Sequence, residues 1–270
     1  MTQSERWTEH KPSDGEWLRV DFGALSIIVL NYRSEWRIAS FRDGAPEGLA
    51  DSGTVDSLPD DLKWERWDHH EDDVRLRFQP VFPPMPVVAR PHFPLHIRPK
   101  GQAGFFIGVA AWIEVIGECR DEMLPLTALA TATLSKTWHG TPLAGRLGYA
   151  LRTYARRVFE PEEWPQMDIV CPISLLNDGG ASMPFERLYL ETGHLSVFEK
   201  DGRLWSNAAR IRMGGDAGDL GNVTYAPRPS APYNDAVEIT PPRMGRIRRS
   251  TIQSAFARVL GHINPFDDPS

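Results

Sequence analysis

The densest set of chemically able side chains lies at residues 68–73, where His69 and His70 are flanked by Asp68, Glu71, Asp72 and Asp73. Imidazoles beside carboxylates suit zinc, manganese or calcium. The order matches no metal-site signature, and the DxDxDG calcium pattern is missing. A solvated turn between strands is the simpler reading. His92 and His96 form a weaker pair, because Pro91 and Pro94 keep them off one helical face. No metal or cofactor is expected. The nucleophiles also lack context. GxSxG and HExxH are absent, and so are GxGxxG and the GxxxxGK[ST] phosphate loop. The glycine-rich tract GGDAGDLGN (214–222) has no helix signal behind it. Cys171 precedes a proline inside a strand-like run, where a thiol packs rather than attacks.

Two sets of residues could bind instead of react. Arg243, Arg246, Arg248 and Arg249 form a basic run that could meet phosphate or another anion. Solvated surface charge is the plainer account of it. A helix start disfavours cations, so the run is not there for helix stability. The nine tryptophans are scattered, and core packing claims most of them. Trp138 stands apart because His139 and Gly140 follow it in a turn-like string. With Tyr149 and Arg152 downstream it marks a candidate binding surface: Trp138, His139, Tyr149 and Arg152.

These residues sit in a chain of 270 with a net charge of -6, 41% hydrophobic residues and a mean hydropathy of -0.37. That is the composition of a soluble globular protein. Residues 1–80 hold 17 acidic and 10 basic residues, a net of -7, and the rest nets +1. An acidic front argues against nucleic acid as a partner. Cys119 and Cys171 form no CxxC. Whether they pair stays open, with two reduced core thiols of a cytoplasmic protein as the simpler reading. The N-terminus lacks an apolar signal segment. The longest apolar run, GFFIGVAAWIEVIG (104–117), is too short to span a bilayer and contains Glu114.

Strand patterns must position all of this. WLRVDF (17–22) and EWRIASF (35–41) alternate, while LSIIVLNY (25–32) is a continuous apolar run suited to a strand covered on both faces. Residues 43–61 read as a loop. LKWERW (62–67) and VRLRF (74–78) read as two strands around a charged turn. Seven prolines between 80 and 99 exclude a helix and mark a connector at 81–99. PLTALATATLSKTWHG (125–140) favours strand over a short helix, and LGYALRTYARRVF (147–159) leaves strand and helix in competition. DIVCPISLLNDGGASMPFERLYLE (168–191) reads as one hairpin turning at Asn177–Gly180, and HLSVFEKDGRLWSN (194–207) as another turning at Lys200–Arg203. Ile252, Phe256, Val259 and Leu260 have helical spacing after a Ser250 or Thr251 cap, which predicts a helix over 250–262. The expected fold is mainly β, with antiparallel sheets in one long sandwich or two adjacent ones. It has a β region at 1–80, a connector at 81–99, a sandwich region at 100–240 and the C-terminal helix.

The strings PLHIRPKGQAGFFIGVAAWIEV, LSKTWHGTPLAGRLGYALRTYARR, CPISLLNDGGASMPFERLYL and LSVFEKDGRLWSNAARI carry a resemblance. Over residues 93–215 the chain resembles domain-of-unknown-function family 432. Thr137, Trp138, Gly140, Tyr149, Arg152, Asn177 and Leu188 are the matching positions. The acidic first 80 residues and the arginine-rich end match less well. The resemblance brings no catalytic residues. It implies a membrane-protein partner, because it associates members with small mechanosensitive channels.

Three readings follow. The first is a non-catalytic binding or protein-interaction module, not itself membrane-spanning. The second is a carbohydrate-active or metal-assisted enzyme with a cleft around Trp138 and His139. The third is an anion sensor using Arg243–Arg249.

Overall fold

The computed structural model describes residues 4–69, 74–91, 95–119, 122–140, 145–153, 156–213, 221–244 and 252–255. In chain order the strands begin with β1 (Glu9–His10), β2 (Glu16–Phe22), β3 (Leu25–Tyr32), β4 (Glu35–Phe41), β5 (Ser52–Thr54), β6 (Glu65–Asp68), β7 (Arg75–Val81) and β8 (Val87–Pro91). Next come β9 (Leu95–Ile97), β10 (Gln102–Ala110), β11 (Trp112–Cys119), β12 (Glu122–Ala130), β13 (Lys136–Gly140), β14 (Gly145–Thr153), β15 (Asp168–Asn177) and β16 (Met183–Phe185). The last are β17 (Leu188–Leu190), β18 (Val197–Lys200), β19 (Arg203–Ser206), β20 (Ala209–Met213), β21 (Gly221–Tyr225), β22 (Val237–Thr240) and β23 (Ile252–Ala255).

They form a five-stranded sheet (β5-β2-β3-β4-β6), a four-stranded sheet (β1-β7-β11-β12), a second four-stranded sheet (β13-β14-β8-β17), the pair β16-β9 and an eight-stranded sheet. The last runs β22-β18-β19-β15-β20-β21-β23, with β10 also on β15. Most ladders are antiparallel. The parallel ones join β8 to β14 and β15 to both β19 and β20.

The first core lies between the five-stranded sheet and the sheet of β7 and β11. Val20, Phe22, Ile27, Val29 and Trp36 meet Leu76, Phe78, Ile113 and Val115 there. Residues 25–30 of β3 are all buried. The sequence asks for this, because the strand has no polar face to offer water. Its other face, Ile28 and Leu30 with Trp17 of β2, is covered by Leu49, Val55, Leu58, Leu62 and Trp64. The segment at 43–61, expected to be plain loop, therefore acts as a lid on that face and contains β5.

The second core lies under the eight-stranded sheet. Phe105, Ile107 and Val109 of β10 and Ile169, Cys171, Ile173 and Leu175 of β15 pack on Val87, Ala89, Leu188 and Leu190. β10 and β11 are one extended run of chain broken at the fully buried Ala111. The first belongs to the eight-stranded sheet and the second to the sheet beside β7. That sheet also joins strands on either side of the proline-rich stretch, because Pro80 of β7 pairs with Ile113 of β11.

Three expectations change. β6 and β7 do not form a hairpin, since β6 pairs with β4 and β7 with β1 and β11. β15 does not turn back on itself either. β16 pairs with β9 and β17 with β8, so the chain leaves the large sheet after Asn177. Asn177 ties this exit. Its buried amide donates to the carbonyls of Ile97, Arg98 and Ala181 at 3.0, 3.2 and 2.9 Å, and its oxygen accepts from the Gly179 amide at 2.9 Å. The expected helix at 250–262 is the third. Its described part, Ile252–Ala255, is strand β23, paired with β21 through Val223 and Ile252. The rest lies outside the described residues, among which there is no α-helix. A helical repeat of four apolar residues is a weak local preference, and the open backbone edge of β21 outweighs it. Among the described residues no helix is long and apolar enough to cross a membrane.

Candidate functional site

The outer face of the eight-stranded sheet is divided in two. Alternation along β10 and β15 sends Gly104, Phe106 and Gly108 outward opposite Ser174, Pro172 and Val170. Over Gly108 and Val170 the face is roofed by aromatics. Trp205 stacks on Tyr233 with ring centroids 3.7 Å apart, and Phe159 meets Trp205 edge-on at 4.6 Å. Trp164 closes the far side, 5.9 Å from Phe159. A side chain at Gly108 would collide with Trp164, so the roof needs glycine beneath it.

Past Phe106 the roof ends and the face opens into a groove of about 520 Å³. Gly104 and Ala208 keep its floor low. Phe106 forms its apolar end. Gln102, Ser174, Thr224 and Ser230 supply hydrogen-bonding groups, and Arg157 and Arg210 supply two exposed cations. Among the described residues the lining contains no Asp, Glu, His, Cys or Lys. Among the described residues neither guanidinium is paired with a carboxylate. The Gln102 amide donates to Ser174 Oγ at 2.8 Å, which leaves the serine proton for another acceptor.

The Asp168 carboxyl sits at the roofed end. Burial pushes it up to about 6, against the partial pull of Arg203. Arg203 is itself anchored, donating to the Trp164 carbonyl at 2.8 Å.

The sequence-derived candidates fall elsewhere. Trp138 and His139 point to opposite faces of β13: Trp138 is 48% exposed and His139 only 4%. They cannot line one cleft. The indole lies across the hairpin over Gly145, where any side chain would overlap it, and Trp138 pairs with the exposed Leu147. His139 stacks on Tyr189 at 5.1 Å with planes 20° apart. Burial and the nearby Glu191 hold the Tyr189 hydroxyl above the usual phenol range, opposed by Arg146, which bonds Glu191 at 3.1 Å. Tyr149 is half-buried against the second core, 6.3 Å from Trp112. The backbone of Arg152 pairs with Arg90, and its side chain lies outside the described residues. Gly140 needs its glycine, because its φ is 112°.

Arg243 is a tie rather than part of an open patch. It donates to the Pro83 carbonyl at 2.6 Å, and partial burial holds it below the usual guanidinium range. Arg246, Arg248 and Arg249 lie outside the described residues, as do His70–Asp73 and His92. His69 lies 3.2 Å from the Asn31 side-chain oxygen, and its ring is 5.3 Å from that of Trp36. Among the described residues no group of three His, Cys, Asp or Glu side chains could hold a metal ion. Cys171 is a buried free thiol, pushed up to about 12 by burial, and so is a poor nucleophile. The side chain of Cys119 lies outside the described residues.

Sequence reasoning missed the groove. Its signal is the alternation of ARIRM in β20, which buries Ala209, Ile211 and Met213 and exposes Arg210 and Arg212. Arg212 is matched by Asp178 at 3.1 Å, and Arg210 is left to the groove.

Stacked, mostly antiparallel sheets define the class: a mainly β protein. The chain belongs to the family described as Protein of unknown function (DUF432), whose sequence profile matches residues 6–260. The match extends the resemblance seen over 93–215 to the acidic strands at the front and the arginine-rich segment at the end. No curated protein and no solved structure matches the chain.

Proposed function

We propose that the chain is a non-catalytic binding module and that the groove over β10, β15, β20 and β21 is its ligand-bearing surface. One observation carries this reading: the outer face of the large sheet is roofed by aromatics over one half and left concave and polar over the other. The volume of about 520 Å³ lies within the range of about 300–1,000 Å³ usual for small-molecule sites. Among its described residues the groove is lined by cations, hydroxyls, an amide and a phenyl ring rather than by a matched acid and base, which suits holding a molecule more than converting it. A cytoplasmic setting agrees with the free Cys171 thiol.

The test is a thermal-shift screen of small metabolites against the native chain and Gly104→Phe. The ring would fill the groove from a position where the nearest atom to a new Cβ is 3.9 Å away. Ligands that stabilise the native chain and not the variant support the reading. Ligands that stabilise both equally overturn it.

A second reading is favoured by the exposed pair Trp138 and Leu147, 48% and 45% accessible on neighbouring strands. An apolar pair of this kind suits a protein partner, and the family resemblance suggests a membrane channel. Capture of a stoichiometric partner from detergent-solubilised membranes, abolished by Trp138→Glu, is the expected result. Capture that survives Trp138→Glu and Leu147→Glu removes the pair from consideration.

A further inference from the structure

We infer that the groove takes a small organic phosphate carrying a flat ring, of mononucleotide size. The inference rests on the binding-module reading and names its ligand class. The first ground is charge. A chain of net charge -6 places Arg157 and Arg210 on one concave surface with no carboxylate among its described lining residues. Among the described residues neither guanidinium is paired with a carboxylate, so no described acidic side chain offsets their charge. Two guanidiniums approaching from different strands and loops suit an anion with several oxygens, because each can bond two of them.

The second ground is the hydroxyl set. Ser174 Oγ already accepts from Gln102 at 2.8 Å, so its own proton points to a further acceptor. Thr224 and Ser230 add hydroxyls to the same lining. Thr224 Oγ1 already donates to the Arg210 carbonyl at 3.4 Å, so Ser174, Ser230 and the two guanidiniums are the donors left for an acceptor-rich phosphate.

The third ground is the apolar end. Phe106 is held edge-on by Phe159 at 6.1 Å and by Trp205 at 6.5 Å, while it also lines the groove. A phenyl ring braced in this way offers a fixed platform for a flat ring. Gly104 and Ala208 leave the floor without bulk, so a planar group can lie close to the backbone.

The experiment is isothermal titration of the full chain with adenosine 5′-monophosphate, adenosine and inorganic phosphate. It is repeated on Arg157→Glu, Arg210→Glu and Gly104→Phe, each checked for an unchanged melting profile. Both arginines are exposed, so their reversal leaves the core intact. The monophosphate is expected to bind more tightly than either fragment. Each arginine reversal is expected to weaken it by about tenfold or more, as for the loss of a charged hydrogen bond, and to leave adenosine unchanged. Gly104→Phe is expected to remove all binding. No monophosphate binding, or binding indifferent to both arginines, overturns the inference. An uncharged ligand that is lost in Gly104→Phe and indifferent to the arginines overturns the phosphate assignment alone and leaves the binding-module reading standing.

Discussion

Trp205 lies flat on Tyr233, with ring centroids 3.7 Å apart and planes within 18° of parallel. This stack forms the middle of the aromatic roof, behind Phe106 where the groove begins. Trp205 is rigidly placed in β19, whereas Tyr233 arrives from the loop before β22. The loop partner is therefore the removable one.

Tyr233→Ala should lower stability by about 0.5–1.5 kcal/mol beyond any loop relaxation, the scale of one aromatic pair. It should also lengthen the groove toward Val170. Urea unfolding measures the first effect. Binding of an apolar fluorescent dye measures the second, and no increase in dye binding would count against the roof.

Asp168 makes stability depend on pH in the less usual direction. Its native carboxyl titrates near 6, above its ordinary 3.8, so the folded state holds a proton that the unfolded state has already lost. This contribution is fully present below the ordinary value. It is lost as the pH rises through about 6, with an upper bound of about 3 kcal/mol. Asp168→Asn should therefore be more stable than the native chain at pH 7–8, with the difference shrinking toward pH 4. Parallel pH–unfolding curves for the two proteins would refute the assignment.

Arg33 and Ser34 both adopt positive φ, 52° and 62°, in the two-residue turn between β3 and β4. Left-handed backbone costs a residue with a side chain about 1–2 kcal/mol. Asparagine followed by glycine suits this turn, so the double variant Arg33→Asn with Ser34→Gly is expected to gain about 1 kcal/mol of stability. A fall in the urea midpoint would mean that the Arg33 guanidinium over Tyr32, 4.9 Å from the ring centroid, outweighs the strain.

Asn177→Ala strips partners from three carbonyls and one amide at a buried crossing. With about 1–3 kcal/mol for each buried group left unmet, a loss of about 3 kcal/mol or more is expected. Asn177→Asp should be worse at pH 8 than at pH 4, because a carboxylate cannot donate to the carbonyls of Ile97, Arg98 and Ala181. Equal stability at the two pH values would show that the site is wetter than its burial implies.

Local pattern foretold local structure. The unbroken apolar run of β3, the alternation of Val74, Leu76 and Phe78, and the Lys200–Arg203 turn all appear where the residues ask for them. Asp201 and Gly202 take the positive φ values that such a two-residue turn needs. What escaped the sequence is pairing at a distance. Nothing within 168–191 says that β15 will pair with β10 and leave β16 and β17 to other sheets. Ile252 shows the same failure: its spacing to Phe256 is helical, and the free edge of β21 made its neighbourhood a strand. The groove was hidden for a related reason. Gln102, Arg157, Ser174, Arg210 and Ser230 come from five stretches of chain, and each alone reads as ordinary surface.

The direct passage of the chain from β10 through Ala111 into β11 governs how the molecule comes apart. Residues 102–119 are a single beam built into both cores, and Thr240 adds a cross-tie by donating to the Pro80 carbonyl at 2.7 Å. Neither core can melt without pulling its half of the beam from the other. Heating should therefore give one calorimetric peak whose van 't Hoff and calorimetric enthalpies agree. A molecule tied together in this way behaves as a rigid palm: whatever rests in the groove meets a surface already in its final shape.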